Sequence, residues 1–239
     1  MPLVIGLGTG RCGTVSLAHL LNAQTNAKVT HEAEPLLPWR KDQARPDEVK
    51  TMRRMWQVAD SREAYALKRD RFNERLESFS LVGDVANFWL PYMPEIKRDF
   101  PGVKVVGLIR DMESYVDSAM RKTGGEDGPN FWGGHGGWSF VFPLFPGVPK
   151  RRAIELYWGA YNARIRQEAG FIMRTEDLSD ESAQDELFRF LGIRDHVHRF
   201  DRLNVGAHDY QAANGVRENR DGKPFELRLV GGEIVRTDG

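Results

Sequence analysis

A short apolar run, Val4-Ile5-Gly6-Leu7, passes directly into Gly8-Thr9-Gly10-Arg11-Cys12-Gly13-Thr14, and a helical pattern follows with Val15, Leu17, Leu20 and Leu21 on its apolar face. A buried strand that turns through glycines straight into a helix sends that helix back across a sheet. The rest of the chain repeats the alternation. Residues 28–31, 79–82, 103–109 and 170–174 read as strands, and residues 94–100, 111–122, 151–169 and 179–191 as helices. The run at 103–109 is the strongest strand, and the run at 79–82 is expected to end at Gly83-Asp84. Alternation of this kind predicts an α/β fold, a parallel sheet with helices on both faces.

Three segments depart from the alternation. Residues 47–78 are charged with helical apolar spacing (Met52, Met55, Trp56, Val58, then Tyr65, Leu67, Phe72, Leu76), which predicts one or two exposed helices forming a helical cap over about 40–78. Residues 124–149 are rich in glycine, proline and aromatics, as in a lid or binding loop. Residues 225–229 and 234–236, around Gly231-Gly232, predict a C-terminal hairpin.

The glycine-rich turn is a cradle for an anion. Glycines let backbone N–H groups approach closely, and the N-terminus of the next helix adds partial positive charge. Arg11 supplies a cation, and Thr14 and Ser16 supply hydroxyls. The turn lacks the Gly-Lys-Ser/Thr sequence that holds the magnesium of a nucleoside triphosphate. A second such corner follows the strongest strand, where Arg110 ends the run and Ser118 lies eight positions on in the next helix. Strand ends of this kind line the ligand crevice of an open α/β sheet.

Composition narrows the partners. The 239 residues suit one α/β domain over 1–239, and the formal net charge of zero gives no argument for nucleic acid or a membrane surface. Cys12 is the single cysteine, so no internal disulfide forms, which fits a reducing compartment. We read neither a secretory leader nor a membrane span, and expect a cytoplasmic protein. His196, His198 and His208 have no cysteine or carboxylate placed to complete a metal site, so they read as solvent-facing and no metal is expected.

The loop from Gly8 to Thr14 resembles the 5′-phosphosulfate loop of the P-loop sulfotransferases, and Arg110-Asp111 with Ser118 resembles that family's 3′-phosphate motif. Phe171-Ile172-Met173-Arg174-Thr175-Glu176-Asp177-Leu178, followed by Leu187-Phe188-Arg189-Phe190-Leu191-Gly192, resembles its late strand, Glu-Asp-Leu turn and closing helix. The matches run in order over residues 2–24, 79–122 and 154–193. The arginine at position 11 is similar to the arginine-bearing carbohydrate and tyrosylprotein members, where many relatives carry lysine.

The resemblance implies a P-loop-type domain and a donor, 3′-phosphoadenosine 5′-phosphosulfate, whose sulfuryl group passes to a hydroxyl or, less favoured, an amine of a small-molecule or carbohydrate acceptor, leaving adenosine 3′,5′-bisphosphate and needing no metal. It places Gly10, Arg11, Cys12, Gly13, Thr14, Val15 and Ser16 around the 5′-phosphosulfate and Arg110 and Ser118 at the 3′-phosphate. Arg11 would act electrostatically, since a guanidinium gives up no proton. Glu32, at the end of the second strand, is the preferred base, with His31 as rival and Glu34 third.

The resemblance places Asp84 where relatives dock acceptors, so it either orients an acceptor hydroxyl or caps a turn. Trp132 and Trp138 in the aromatic loop either stack on an acceptor or pack on the protein. Tyr157 and Trp158 read as core residues before adenine contacts. Cys12 reads as a small residue that fits, with a lowered thiol pKa at the helix start as the other reading. Arg220 and Lys223 fall where relatives close a loop over the nucleotide. A small-molecule kinase with a degenerate loop, or a non-catalytic nucleotide-binding scaffold, are the alternatives. The acceptor and the oligomeric state are not legible.

Overall fold

The computed structural model describes residues 2–33, 37, 61–128, 145 and 147–198, together with strands in the segment 217–238. Five strands, β1 (Leu3–Gly8), β2 (Ala27–His31), β3 (Leu81–Val85), β4 (Lys104–Ile109) and β5 (Phe171–Arg174), form one sheet in the order β2-β3-β1-β4-β5. Every adjacent pair is parallel. The helices are α1 (Thr14–Asn22), α2 (Ser61–Ser78), α3 (Met93–Asp99), α4 (Met112–Lys122), α5 (Lys150–Glu168) and α6 (Glu181–Leu191). Strands β6 (Arg217–Glu218), β7 (Pro224–Val230) and β8 (Glu233–Asp238) form an antiparallel sheet that contains the expected hairpin.

Side-chain alternation along β1 divides the core in two. Leu3, Ile5 and Leu7 join a cluster with Tyr65, Phe72, Met93, Tyr115, Ile154 and Tyr157, from α2, α3, α4 and α5. Val4 faces the other way and joins Leu17, Leu20 and Leu21 of α1 with Leu187, Phe188 and Leu191 of α6. Both faces of the sheet are therefore covered, as a parallel sheet requires. Asp111 and Asp180 cap α4 and α6 by accepting from Ser114 N and Ala183 N at 2.9 and 2.8 Å.

Two expectations are corrected here. Strand β3 does not end at Gly83-Asp84 but contains both. Gly83 is a close-approach position: a Cβ there would lie 2.5 Å from Val4 O of β1. The described part of the supposed cap, α2, is also a core helix rather than an exposed one. Ala64 and Phe72 are buried with Lys68 between them, one every four residues down one side. The helical spacing is legible, but a buried lysine among so many charged residues makes the helix read as exposed. The remainder of the cap segment, with Glu34, lies outside the described residues.

Candidate active site

Parallel pairing puts the C-terminal ends of all five strands at one edge. In that register Gly8 pairs with Leu108 and His31 with Val85, so the loop after β1, the end of β2 and the tip of β4 share one rim.

The loop is held by its carbonyls. Thr9 O accepts from the Tyr115 and Tyr157 hydroxyls at 3.5 and 3.4 Å. Gly10 O accepts from Thr9 Oγ1 at 3.2 Å, Arg11 O from Arg110 Nη1 at 3.0 Å, and Cys12 O from Thr175 Oγ1 at 2.6 Å. Gly13 O accepts the first helical bond, from Leu17 N at 3.0 Å. In a planar trans peptide, C=O and the following N–H point in opposite directions. Fixing five successive carbonyls, three of them to the protein body, therefore turns the N–H groups of residues 10–14 the other way, at the start of α1. Such an array favours an anion. Gly13 makes the entry possible: its φ of 86° is left-handed, and no side chain caps α1 in its place.

Among the described residues, three non-glycine residues have positive φ: Arg11 at 52°, Asn26 at 54° and Glu32 at 49°. Asparagine adopts this conformation readily, whereas arginine and glutamate do not, and each costs roughly 1–3 kcal/mol. Both strained residues are the sequence's own candidates for catalysis.

Arg11 and Arg110 meet at the rim, Arg110 reaching the Arg11 carbonyl. Desolvation, followed by the like charges of Arg110 and Arg121, lowers the Arg11 pKa. An anion bound beside both arginines relieves that like-charge repulsion. Ser118 is buried in α4. The Trp158 indole N–H donates to Arg110 O at 3.0 Å, so Tyr157 and Trp158 both fasten strand-tip backbone. At the end of β2, His31 Nε2 lies 3.0 Å from Thr14 Oγ1, which joins it to the loop. Glu32 Oε1 is 4.0 Å from the same nitrogen, with the side chain 35% exposed.

Several expectations about these residues change. Asp84 is built into the protein, not presented past a strand. Oδ2 accepts from Lys68 Nζ at 2.8 Å and Trp89 Nε1 at 3.0 Å. Oδ1 accepts from Thr30 Oγ1 at 2.8 Å and Ala33 N at 3.3 Å. Four bonds use the carboxylate's capacity, so neither an acceptor-orienting role nor a capping one fits this position. Cys12 is buried, and burial pushes its thiol up to about 11, which overturns the lowered-pKa reading. His196 and His198 are not without a carboxylate: Asp185 Oδ1 lies 2.7 and 3.1 Å from their Nε2 atoms. Trp132, Trp138, His208, Arg220 and Lys223 lie outside the described residues.

Thr175, Tyr115 and Lys68 escaped sequence reasoning. Thr175 alone gave a signal, as the first residue after β5. The hydroxyl of Tyr115 and the buried ammonium of Lys68 act on groups on other elements, 106 and 16 positions away.

No curated protein sequence matches the chain. Among solved structures it is similar to a sulfotransferase from Alicyclobacillus acidocaldarius, with TM-score 0.54 and 16% identity over 89% of this chain and 90% of that one. It is also similar to a shikimate kinase from Bacteroides thetaiotaomicron, with TM-score 0.48 and 17% identity over 80% of this chain and 98% of that one. A family model described as the sulfotransferase domain matches residues 3–172, which take in the glycine-rich loop and the first four strands. That match spans well over half of the sequence, and the chain belongs to the sulfotransferase family.

Proposed function

We propose that the protein transfers the sulfuryl group of 3′-phosphoadenosine 5′-phosphosulfate to a hydroxyl of a small-molecule or carbohydrate acceptor. The observation that carries this reading is the pair of cationic corners in contact at the sheet edge, joined by the Arg110–Arg11 hydrogen bond of 3.0 Å. The anchored loop carbonyls fit a bound phosphosulfate, because they leave an N–H array and two guanidiniums for anionic oxygens. The donor supplies an activated sulfuryl group, and the chain's own residues do the rest. Gly10, Arg11, Cys12, Gly13, Thr14, Val15 and Ser16 surround the 5′ end, with Cys12 contributing backbone only. Arg110 and Ser118 hold the 3′-phosphate. Arg11 meets charge developing on the transferring group.

Glu32 takes the acceptor proton, and His31, held to Thr14 beside it, is the rival base. Arginine at position 11 aligns the loop with the arginine-bearing carbohydrate and tyrosylprotein members.

Thermal unfolding tests the donor site. A ligand at a hundred times its Kd adds about 2.7 kcal/mol, or roughly 5–11 °C for a chain of this size. Adenosine 3′,5′-bisphosphate is expected to give that shift in the native protein and little in Arg110→Ala. An equal or larger shift from ADP with magnesium would reject the donor and favour the kinase reading. With an acceptor found by radiolabelled transfer, Glu32→Gln is expected to lose about 10²–10⁴-fold in turnover while keeping the bisphosphate shift. Near-normal turnover rejects Glu32 as base.

A further inference from the structure

The geometry points to a transition-metal site of the zinc class, built from His196, His198 and Asp185 on the side of the molecule formed by α6 and the segment after it. One ligand atom from each lies within 4.8 Å of the others. The placement follows from chain geometry. Gln24, just after α1, grips the Val197 backbone from both sides, donating to Val197 O at 3.0 Å and accepting from Val197 N at 2.9 Å. In an extended segment, residues two apart share a side. His196 and His198 therefore face α6 together, while the Val197 side chain is 49% exposed.

The hydrogen bonds define what His198 can offer. Gln184 is buried, and its Nε2 donates to Leu178 O at 2.7 Å. Its Oε1, 3.2 Å from His198 Nδ1, is therefore an acceptor, and His198 Nδ1 carries the proton. In the neutral ring Nε2 then holds a lone pair, yet it lies 3.1 Å from Asp185 Oδ1, which is also an acceptor. Two facing lone pairs need a cation between them. A metal ion coordinated by both atoms supplies it.

The donor set suits that ion. Two imidazole nitrogens and a carboxylate oxygen are zinc ligands, and bonds of about 2.0–2.1 Å hold tetrahedral donor atoms about 3.3 Å apart. The separations of 2.7 and 3.1 Å therefore need to open by only a few tenths of an ångström. Gln184 braces His198 as an outer partner orients a metal ligand. His196 Nδ1 is buried with no partner among the described residues. One unbraced ligand makes the site about 10–100-fold weaker than a fully supported one. The fourth position faces a cleft of about 730 Å³, which Arg189 and Arg194 also line, and is filled by water or a small anion.

The test uses tag-free chain stripped with a chelator and titrated with Zn²⁺ alone by calorimetry, and with Co²⁺ alone by visible absorption. We expect one ion per chain and cobalt bands of tetrahedral intensity. His198→Ala and Asp185→Asn should each weaken Zn²⁺ binding at least tenfold. Both variants should retain the native thermal shift with adenosine 3′,5′-bisphosphate, which keeps this result separate from the donor site. Absent saturable binding, or binding unchanged in both variants, overturns the proposal. So does a His198 ring that titrates as a cation at neutral pH by NMR and takes up no metal, because a proton then fills the gap.

Discussion

Replacing Thr175 by valine tests whether the loop works because its carbonyls are anchored. Valine keeps the shape and removes the hydroxyl that donates to Cys12 O at 2.6 Å and Ile109 O at 3.4 Å. Cys12 is buried, so its carbonyl loses a partner that water cannot easily replace. An orphaned buried acceptor costs about 1–3 kcal/mol. For a chain of this length that is a fall of about 2–12 °C in Tm. The same peptide carries Gly13 N–H, so releasing the carbonyl also loosens one donor of the anion site. A hydrogen bond to a charged group is worth about 1.5–3 kcal/mol; taking half of that for a donor released but not removed gives about a 3- to 12-fold loss in affinity for adenosine 3′,5′-bisphosphate.

Urea unfolding and calorimetric titration read the two effects separately, and Thr175→Ser, which restores the hydroxyl, should recover most of both. If Thr175→Val unfolds at the native urea midpoint, the bond contributes nothing. If it is destabilised yet binds the bisphosphate with native affinity, the carbonyls do not aim the N–H groups and the reasoning fails.

Two further outcomes follow from the core. Lys68→Met leaves Asp84 as a buried carboxylate without its counter-charge, and should cost about 3–5 kcal/mol by urea unfolding. The double variant with Asp84→Leu should recover part of that, and a cost below about 1 kcal/mol for the single change would mean that Asp84 does not depend on the ion pair. The Cys12 thiol has a folded pKa near 11 against an ordinary 9.0. Its stabilising contribution is present below pH 9 and disappears as pH rises to about 11, roughly 2–3 kcal/mol in all. Burial raises the Tyr157 and Tyr161 pKa values too, with the same sign, so the thiol is read from the difference between the native chain and Cys12→Ala. Cys12→Ala should lose stability less steeply between pH 9 and 11, and parallel curves would show a thiol not held neutral by the fold.

What the sequence makes legible is whatever one stretch of chain completes by itself. Strand β1, its glycine turn and α1 are contiguous, and so are β4, Arg110 and α4. Both proposed anion corners are contiguous enough to be read as motifs, and the parallel sheet followed from the alternation around them. What stayed hidden is whatever needs a partner from elsewhere in the chain. Asp84 resembles a turn residue because the compensating Lys68 sits on another element, in a stripe where periodicity expects an apolar side chain. His196 and His198 resemble surface residues because Asp185 belongs to α6. The loop motif gives no hint that Tyr115, Tyr157 and Thr175 hold its backbone from positions more than a hundred residues away. The division has a physical basis. Affinity for an anion needs only a turn and a helix start, which local sequence specifies. Rigidity of that turn needs hydrogen-bond donors on the surrounding elements, which only the fold supplies. Substitutions outside every motif, at Thr175 before all others, should therefore weaken the donor site while leaving its sequence signature intact.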